Sequence, residues 1–412
     1  MLAALAIGGL GVATASIQHP AVVSEDSVDW TPHLAPGGGI TKPMAFAVAQ
    51  LGDTMYVGGK FQEVQDAART TTVPRRHLVA FDATDGTLDS TFTPEFDDSV
   101  YAVLAVGDSV YVGGSFDQVD GVDRPAIAKL DAQTGALDPA FSPLGMASSR
   151  VSEIRLVDGR LIVGGTFKKN LVALNPATGR NTGYIDISID GQVPLSRSKT
   201  EVYRFAVDRN AGATRLVAVG NFTTVAGQNR HRAFMLDLDA GSATLSSWYY
   251  EPLDDKCRSN TPTRQAYLDD VDFSPDGSYF VFAATGYIPN LPEHFGTHIC
   301  DAAARFETDE LAPTEPTWIN YTGGDTLHAV AVTGAAVYVQ GHNRWLDNGA
   351  VVRRGIGAID PDTGLANSWN PRKPADQGGQ DFLATPAGLW VPSDSLRFQG
   401  EDHVGIAFVP LP

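Results

Sequence analysis

A short apolar segment that contains paired glycines recurs along the chain and limits the folds open to it. Its clear copies are MYVGGKF (55–61), VYVGGSF (110–116), LIVGGTF (161–167) and LVAVGNF (216–222). Degenerate copies follow as YFVFAATG (279–286), VYVQGHN (337–343) and LWVPSDS (389–395), which gives seven copies spaced about 50 to 63 residues apart. A repeat with this period is typical of propellers and solenoids, in which one supersecondary unit is built many times.

Each copy is the second of four strands that the pattern predicts in every unit. An apolar run such as VYAVLAV (100–106) precedes it, and a strand such as AIAKLDAQTG (126–135) follows, with a turn that Asp opens and Gly ends. A fourth strand carries an aromatic-x-Pro ending, as in AFSP (140–143). Seven such units predict an all-β fold, a seven-bladed β-propeller of four-stranded antiparallel blades, with the paired glycines where blades crowd near the axis.

The last unit stops before its fourth strand, whereas the chain starts with one aromatic-x-Pro ending too many. The segment VDWTPHLAP (28–36) holds this extra copy as Trp30-Thr31-Pro32. We expect it to become the outer strand of the last blade, because a shared blade leaves no open sheet faces between the two ends of the ring. Residues 28–412 are therefore predicted to form one closed propeller domain.

The repeat resembles a known family. Over residues 100–143 the chain reads V.A.AV.GD.VYVGG.F..V.G..R...A.LDA.TG.LD..F.P, a pattern similar to the delta-sixty repeat propellers, a family of unknown function common in secreted bacterial proteins. The resemblance is strongest over 44–143, 151–179 and 201–237, and weakest over 266–321. It implies a propeller fold and implies nothing about activity, since no catalytic residues of the family carry over.

The first residues read as an export signal. Residues 2–15 are apolar but too short to span a bilayer, and they end in Ala13-Thr14-Ala15, the small-x-small pattern that signal peptidase recognises. The basic n-region is missing, so either the true start lies upstream or the leader is unusual. We expect residues 1–15 to be a signal peptide, 16–27 a flexible leader, and the protein to be secreted or held at the cell surface.

The net charge limits the classes of partner that the protein can bind, and the cysteine count indicates how its thiols are used. The net charge of −18 and pI near 4.8 disfavour nucleic acid and anionic membranes, and no second hydrophobic stretch predicts a membrane span. We expect a monomer. The two cysteines, Cys257 and Cys300, form an even pair in an exported chain, which favours one disulfide over two free thiols.

Polar residues recur in the predicted innermost strands. Alignment on the glycine pairs puts Ala47, Ala102, Glu153, Tyr203, Asp269, His328 and Asp381 at one level near the channel mouth. Glu153, Asp269, His328 and Asp381 are the candidate metal ligands, and Ca²⁺ in the central channel is the candidate cofactor. The alternative is a wide channel whose polar lining stays hydrated.

A second recurring position lies seven residues before each turn Asp or its equivalent. It holds Arg75, Arg124, Lys168, Arg230, Cys300 and Arg353. Guanidinium groups there either form a ring that binds an anion or brace their own loops, and repetition in blade after blade favours bracing.

Three functions remain open, and one of them is a passive spacer. The leading hypothesis is a non-catalytic binding module that meets carbohydrate or protein through its top face, the face that carries the loops between second and third strands. Its candidate ligand-binding residues are Tyr203, Arg204, Tyr287, Phe295, His342 and Trp345. The second hypothesis is a metal-dependent, lactonase-like hydrolase that uses the four candidate metal ligands.

Overall fold

The structure is a computed structural model that describes residues 17–194, 196, 198–209, 212–255, 257, 267–289, 291–374 and 378–412. The predicted signal peptide lies outside this range. The described residues form β-strands and three short 3-10 helices, Glu251–Asp254, Pro292–His294 and Asp347–Gly349, and contain no α-helix. None of the described helices has the length and apolar character needed to cross a bilayer.

Seven sheets in the described residues, numbered 1 to 7 along the chain, share one antiparallel connectivity. Their first strands are Met44–Leu51, Val100–Val106, Val151–Val157, Glu201–Val207, Leu268–Phe273, Leu327–Val332 and Leu383–Thr385. The second strands are Thr54–Lys60, Ser109–Gly114, Arg160–Gly165, Arg215–Asn221, Tyr279–Ala284, Val337–Gly341 and Gly388–Pro392. The third strands are Leu78–Asp82, Ile127–Asp131, Leu171–Leu174, Ala233–Leu238, Ala302–Glu307, Ile356–Ile359 and Ile406–Pro410.

A regular fourth strand is present in two of these sheets, Ala243–Leu245 in sheet 4 and Trp318–Tyr321 in sheet 5. In sheets 1, 2, 3 and 6 the fourth segment keeps a single bridge to the third strand, such as Leu137 to Leu130. Side-chain hydrogen bonds replace part of the backbone pairing between the third strand and the fourth segment. In sheet 2, for example, the Asp138 carboxylate accepts the backbone N–H of Ala140 at 2.8 Å. The predicted fourth strands are thus shortened because side chains satisfy their backbone.

Short strands form hairpins within the connections between second and third strands, and two further short strands pair with these hairpins. They are His33–Ala35 with Glu63–Gln65 and Thr72–Pro74, Gln118–Val119 with Val122–Asp123, Ile189–Asp190 with Thr224–Val225 and Gln228–Asn229, Trp345–Leu346 with Val351–Val352, and Arg397–Phe398 with Glu401–Asp402. These hairpins lie at the end of the sheets where the first strands begin. This end is the predicted top face.

The turns after the third strands form as the sequence predicts. Asp131 accepts the backbone N–H groups of Gln133 and Thr134 at 3.1 and 2.8 Å, and Gly135 has a φ of 73°. Asp82, Asn175 and Asp360 act in the same way in their own sheets. The Asp or Asn side chain therefore fixes the turn, and glycine supplies the left-handed backbone.

The paired glycines lie where neighbouring sheets and strands approach most closely. A Cβ atom on Gly113 would overlap the side chain of Val151, which belongs to the first strand of the next sheet. A Cβ atom on Gly114 would overlap the carbonyl oxygen of Ser99 within its own sheet. The first glycine thus admits the neighbouring sheet, and the second admits the backbone of the first strand.

The N-terminal segment lies along the last strand of sheet 7. The Val28 N–H donates to Phe408 O at 3.0 Å, and the Ser24 N–H donates to Pro410 O at 2.8 Å. The Trp30 ring contacts the rings of Trp390 and Phe408, with centroids 5.8 and 5.9 Å away. The extra aromatic-x-Pro copy therefore meets the strand that it is predicted to complete.

The segment predicted as a flexible leader also has partners where it is described. The His19 N–H donates to Thr333 O at 2.9 Å, and the Val23 N–H donates to the Tyr338 hydroxyl at 2.9 Å. Val23 itself is buried. Residues 17–27 thus lie against sheets 6 and 7, because their backbone groups and Val23 find partners that the repeat pattern does not mark.

We expect Gly114→Ala to lower the free energy of unfolding by about 1–3 kcal/mol, because the added methyl group meets a backbone carbonyl that cannot move aside. Gly241→Ala is the matched control, since a Cβ atom there has no atom within 4 Å. It should change stability by less than about 0.5 kcal/mol. Urea unfolding measures both variants, and equal effects would contradict the packing role of Gly114.

Candidate functional site at the channel mouth

A one-residue bulge in the first strand sorts the channel side chains into two layers. In sheets 1 to 6 the pairing with the second strand shifts by one residue at the same place. The bulged residues are Phe46, Tyr101, Ser152, Tyr203, Asp269 and His328. The residues that follow them are Ala47, Ala102, Glu153, Arg204, Asp270 and Ala329.

This bulge corrects the predicted alignment. Tyr203, Asp269 and His328 occupy the bulge position, whereas Glu153 lies one residue further along its own strand. The sequence alignment was off by one residue in sheets 4, 5 and 6. Those second strands retain at most one glycine of the pair, so the pattern alone does not fix their register.

The upper layer surrounds a cavity of about 150 Å³ at the top of the channel, which we call the mouth cavity. Its lining residues are Tyr101, Arg150, Ser152, Tyr203, Arg204, Asp269, His328 and Gln380. They come from sheets 2 to 6 and from the segment that leads into sheet 7. The mouth cavity therefore forms only when these sheets stand around one axis.

The charge of Arg150 is neutralised inside the protein. Its guanidinium donates to both carboxylate oxygens of Glu201 at 3.0 and 2.5 Å, and Ser152 Oγ also donates to this carboxylate. Burial opposes the charge on Arg150, but Glu201 outweighs it and keeps the pKa of Arg150 above its ordinary value. The guanidinium also lies over the Tyr101 ring, 5.3 Å from its centroid.

Two of the candidate metal ligands bind each other. Nδ1 of His328 lies 2.6 Å from Oδ2 of Asp269, and the His328 ring lies 5.5 Å from the ring of His342. The carboxylate fixes the orientation of the imidazole, as in many carboxylate–histidine pairs.

The other two candidate ligands lie in the lower channel, the part lined by Glu153, Arg155, Asp270 and Asp381. Glu153 pairs with Arg204 at 3.2 Å and with Arg155 at 3.0 Å. Asp381 accepts the Val48 N–H at 3.2 Å. Burial raises the pKa of Asp381 to about 6, although the Arg204 guanidinium works in the opposite direction, and burial raises the pKa of Asp270 further above its ordinary value.

The four candidate metal ligands do not form one metal-binding group in this structure. Among the described residues, no set of three or more His, Cys, Asp or Glu side chains is arranged to hold a metal ion. Glu153 pairs with guanidinium groups, Asp381 accepts a backbone N–H through Oδ2, and Oδ2 of Asp269 is bound to Nδ1 of His328 instead. No arrangement here thus favours the lactonase-like hydrolase or a Ca²⁺ site.

The candidate ligand-binding residues divide between the mouth cavity and the loops. Tyr203 and Arg204 line the cavity, and His342 lies beside it through its contact with His328. Phe295, in the loop 286–301, is 44% exposed and contacts Tyr321 at the end of the fourth strand of sheet 5. Arg344 covers the Trp345 ring at 4.4 Å, and Tyr287 is half-buried in its loop.

Sequence reasoning missed several residues of the mouth cavity. Tyr101, Arg150 and Gln380 line it, and Phe46 stacks on Tyr101 with centroids 4.9 Å apart. Tyr267 packs edge-on against Tyr203 at 5.9 Å. Tyr101 directly follows the first residue of the apolar run 100–106, so knowledge of the bulge would have placed it at the mouth.

The predicted disulfide between Cys257 and Cys300 is confirmed. It ties the connection that precedes sheet 5 to the loop 286–301 on the top face. The Tyr250 hydroxyl donates to Thr297 O in the same loop at 2.5 Å, and the His294 and His298 rings stack 3.6 Å apart. The loop is therefore cross-linked to the body of the fold.

The recurring arginines brace their own sheets. Arg75 donates to Asp89 O at 2.7 Å, and Arg230 donates to Ser246 O at 3.2 Å. Arg124 and Arg353 bind Phe141 O and Asn367 O in the same way. Each acceptor lies in the fourth segment of the same sheet, which favours bracing over an anion-binding ring.

Comparison with known proteins agrees with this architecture. Residues 108–141 match the model of a domain of unknown function, the DUF5122 β-propeller. The Cps50 (Swd1) β-propeller domain of Myceliophteria thermophila superposes with a TM-score of 0.52 at 10% identity, covering 93% of this chain and 99% of that one. The chain has a β-propeller fold.

A second solved structure matches the chain over a similar length. Hydrazine synthase of Kuenenia stuttgartiensis superposes with a TM-score of 0.51 at 12% identity, covering 91% of this chain and 99% of that chain. Identities this low establish a shared fold and leave activity to be argued from the site. No curated protein matches the sequence.

We expect Arg75→Met to lower the free energy of unfolding by about 1–3 kcal/mol, because it leaves the carbonyl of Asp89 without its donor. Arg76→Met is the matched control, since the Arg76 side chain is 53% exposed and lies 3.7 Å from Glu95 at the surface. It should cost less than about 0.5 kcal/mol. Chemical denaturation compares the two, and an equal loss would argue against bracing.

Proposed function

We propose that sheets 1 to 7 are the blades of one closed seven-bladed propeller, residues 28–412, with the N-terminal segment as the outer strand of the seventh blade. Contacts between the first and last blades support this closure. The Ala45 N–H donates to Ser393 O at 3.1 Å, and the Val48 N–H donates to Asp381. Arg204 of blade 4 reaches Gln380 O at 3.0 Å across the channel.

We propose further that the protein is a secreted or cell-surface binding module without catalysis of its own, and that its ligand enters the mouth cavity from the top face. One observation carries this proposal: polar groups that make no side-chain hydrogen bond within the described part of the chain converge on the cavity. The side chains of Tyr101, Tyr203 and Gln380 make no hydrogen bond to any described residue. Groups of this kind, placed among aromatic rings, are typical of ligand pockets.

Export is supported by the covalent structure and by the leader. A disulfide such as Cys257–Cys300 persists in oxidising compartments. The small-x-small ending of the apolar leader points the same way. The net charge of −18 favours a monomeric, soluble chain whose partner is a carbohydrate or a protein and not a nucleic acid.

The test is a binding screen with the full chain on arrays of immobilised glycans and of peptides from extracellular proteins. Any ligand found should bind Tyr203→Ala at least about tenfold more weakly, because a phenol in the pocket is lost. Leu144→Ser is the control, since Leu144 is 86% exposed and lies outside the mouth cavity. Its binding should be unchanged.

Two results would overturn the proposal. One is a ligand that binds Tyr203→Ala as tightly as the wild type, which would place the site elsewhere. The other is chemical conversion of the bound ligand, detected by mass spectrometry of the recovered material, which would make the protein an enzyme.

A further inference from the structure

We infer that the mouth cavity binds a single ring of a neutral sugar, such as the terminal residue of a glycan. This inference rests on the proposed binding function and narrows its ligand to one chemical class. It stands on the size of the cavity, on its aromatic walls and on the pairing of its charges.

The size of the mouth cavity suits one six-membered ring. The cavity measures about 150 Å³. An engineered cavity of about the same volume in another protein binds benzene. A longer glycan would therefore place one residue inside and leave the rest over the top-face loops.

Fixed aromatic rings supply the apolar contact that the faces of a sugar ring require. Tyr101 is stacked on Phe46, with an interplanar angle of 9°, and the Arg150 guanidinium lies over its ring, so Tyr101 offers its ring edge and its hydroxyl. Tyr203 is held edge-on against Tyr267, with an angle of 78°. Rigid amphipathic rings offer contact area at small entropic cost and keep a hydroxyl available for hydrogen bonding.

The charges at the mouth disfavour an acidic sugar. Both arginines of the cavity already have carboxylate partners, Arg150 in Glu201 and Arg204 in Glu153. Asp269 adds a further carboxylate, which would repel an anionic ring.

Further hydrogen-bonding groups, charged and neutral, complete the site. Oδ1 of Asp269 and Nε2 of His328 make no hydrogen bond to the described residues, as is also the case for the Gln380 amide. Burial and nearby Glu201 raise the pKa of Tyr203 well above its ordinary value, so its hydroxyl remains a donor. Sugar hydroxyls are both donors and acceptors and can pair with all of these groups.

Calorimetric titration of the full chain with methyl glycosides tests the inference. Methyl hexosides of several configurations should include one that binds at least about tenfold more tightly than the methyl hexuronide of the same configuration. Tyr203→Phe should weaken that binding about fivefold through loss of one hydrogen bond, and Tyr101→Ala about tenfold or more through loss of its hydroxyl and of its ring contact. Leu144→Ser should bind as the wild type does.

The outcomes separate this inference from the proposed function. Equal or tighter binding of the hexuronide, or sugar binding that survives both tyrosine substitutions, would overturn the sugar site. Peptides that bind through Tyr203 while every glycoside fails would overturn the sugar and leave the binding module standing. Failure of both ligand classes at the mouth would overturn both.

A different observation, at the seam between the chain ends, carries a second inference. Two buried histidines, His33 and His403, join the N-terminal segment to the last blade. The Val404 N–H donates to Nδ1 of His33 at 3.2 Å, and Nε2 of His33 lies 3.2 Å from Ala67 O. His33 is therefore neutral, with its proton on Nε2, because Nδ1 must accept.

His403 is held in the opposite tautomer. Thr31 Oγ1 donates to Ile406 O at 3.2 Å, so it accepts from Nδ1 of His403 at 3.0 Å. Nε2 of His403 is then left to accept from the Ser27 hydroxyl at 2.9 Å. Each imidazole thus uses one nitrogen as an acceptor, which protonation would abolish.

We propose that mild acidification opens this seam, because protonation of His33 and His403 breaks the hydrogen bonds that hold the N-terminal segment to the last blade. The charged groups facing His33 are Arg69 and Asp402, and those facing His403 are Asp29, Glu401 and Asp402. Arg69 and Arg397 both pair with Asp402, at 3.1 and 3.2 Å, which reduces the ability of that carboxylate to stabilise an imidazolium.

The direction of the pH dependence follows from burial. Burial lowers the pKa of His33 to about 4, with Arg69 contributing, and burial also lowers the pKa of His403. The released histidines regain their ordinary pKa near 6.5. The closed seam therefore has its full stability above pH 6.5 and loses it as the pH falls toward about 4.

Hydrogen exchange measured by mass spectrometry, corrected for the intrinsic rate, tests the proposal. Between pH 7.5 and pH 5 the opening equilibrium of peptides covering 24–35 should rise on the order of 30-fold from His33 alone. Peptides covering 100–114 should not change. The variant His33→Asn/His403→Asn cannot take up these protons and should show a flat pH profile.

His77→Asn is the matched control, because His77 is another buried histidine with a lowered pKa but lies in the first blade, away from the seam. It should leave the pH response of residues 24–35 intact. Unchanged protection of the wild-type seam at pH 5, or a full response in the double variant, would overturn the proposal.

Discussion

The structure depends on a close contact between neighbouring sheets. The first glycine of the pair in one second strand lies against the first strand of the next sheet. A side chain at Gly113 would occupy the space of Val151 in the next blade, and one at Gly114 would meet the backbone of its own blade. Only a small residue lets flat sheets stand close enough to surround one axis. The bulge in the first strands directs side chains such as Tyr101 and Tyr203 into the mouth cavity.

The two layers created by the bulge have different chemistry. In the lower channel, arginines and carboxylates neutralise one another, and Arg204 reaches across to the segment before the last blade. The lower layer therefore links the sheets across the channel. In the upper layer, Glu201 neutralises Arg150, while the phenols of Tyr101 and Tyr203 and the side-chain amide of Gln380 make no hydrogen bond to a described residue. The side of the channel that meets solvent is therefore suited to hold a ligand, and the buried side is suited to hold the ring together.

Sequence reasoning predicts those parts of the fold that depend on residues close together in the chain or on the repeat. The turn built by Asp131 and Gly135 depends on neighbouring residues only, and so it could be read directly. Trp30 was placed beside Phe408 because an aromatic-x-Pro copy was left over at one end and lacking at the other. The bulge could not be read, since one extra residue in a strand leaves no mark in composition, and the error moved Asp269 and His328 by one position.

By itself the sequence determined an all-β repeat protein, the first three strands of each unit, the disulfide and the acidic character of the chain, because each of these is set by residue type and spacing. Only the tertiary structure decided which channel residues share a layer, which carboxylates pair with arginines, and that two histidines close the seam. Many of those contacts join residues more than fifty positions apart, as in Glu153 with Arg204 and Thr31 with His403. Their distances depend on how the blades stand around the axis, and no local pattern encodes that arrangement.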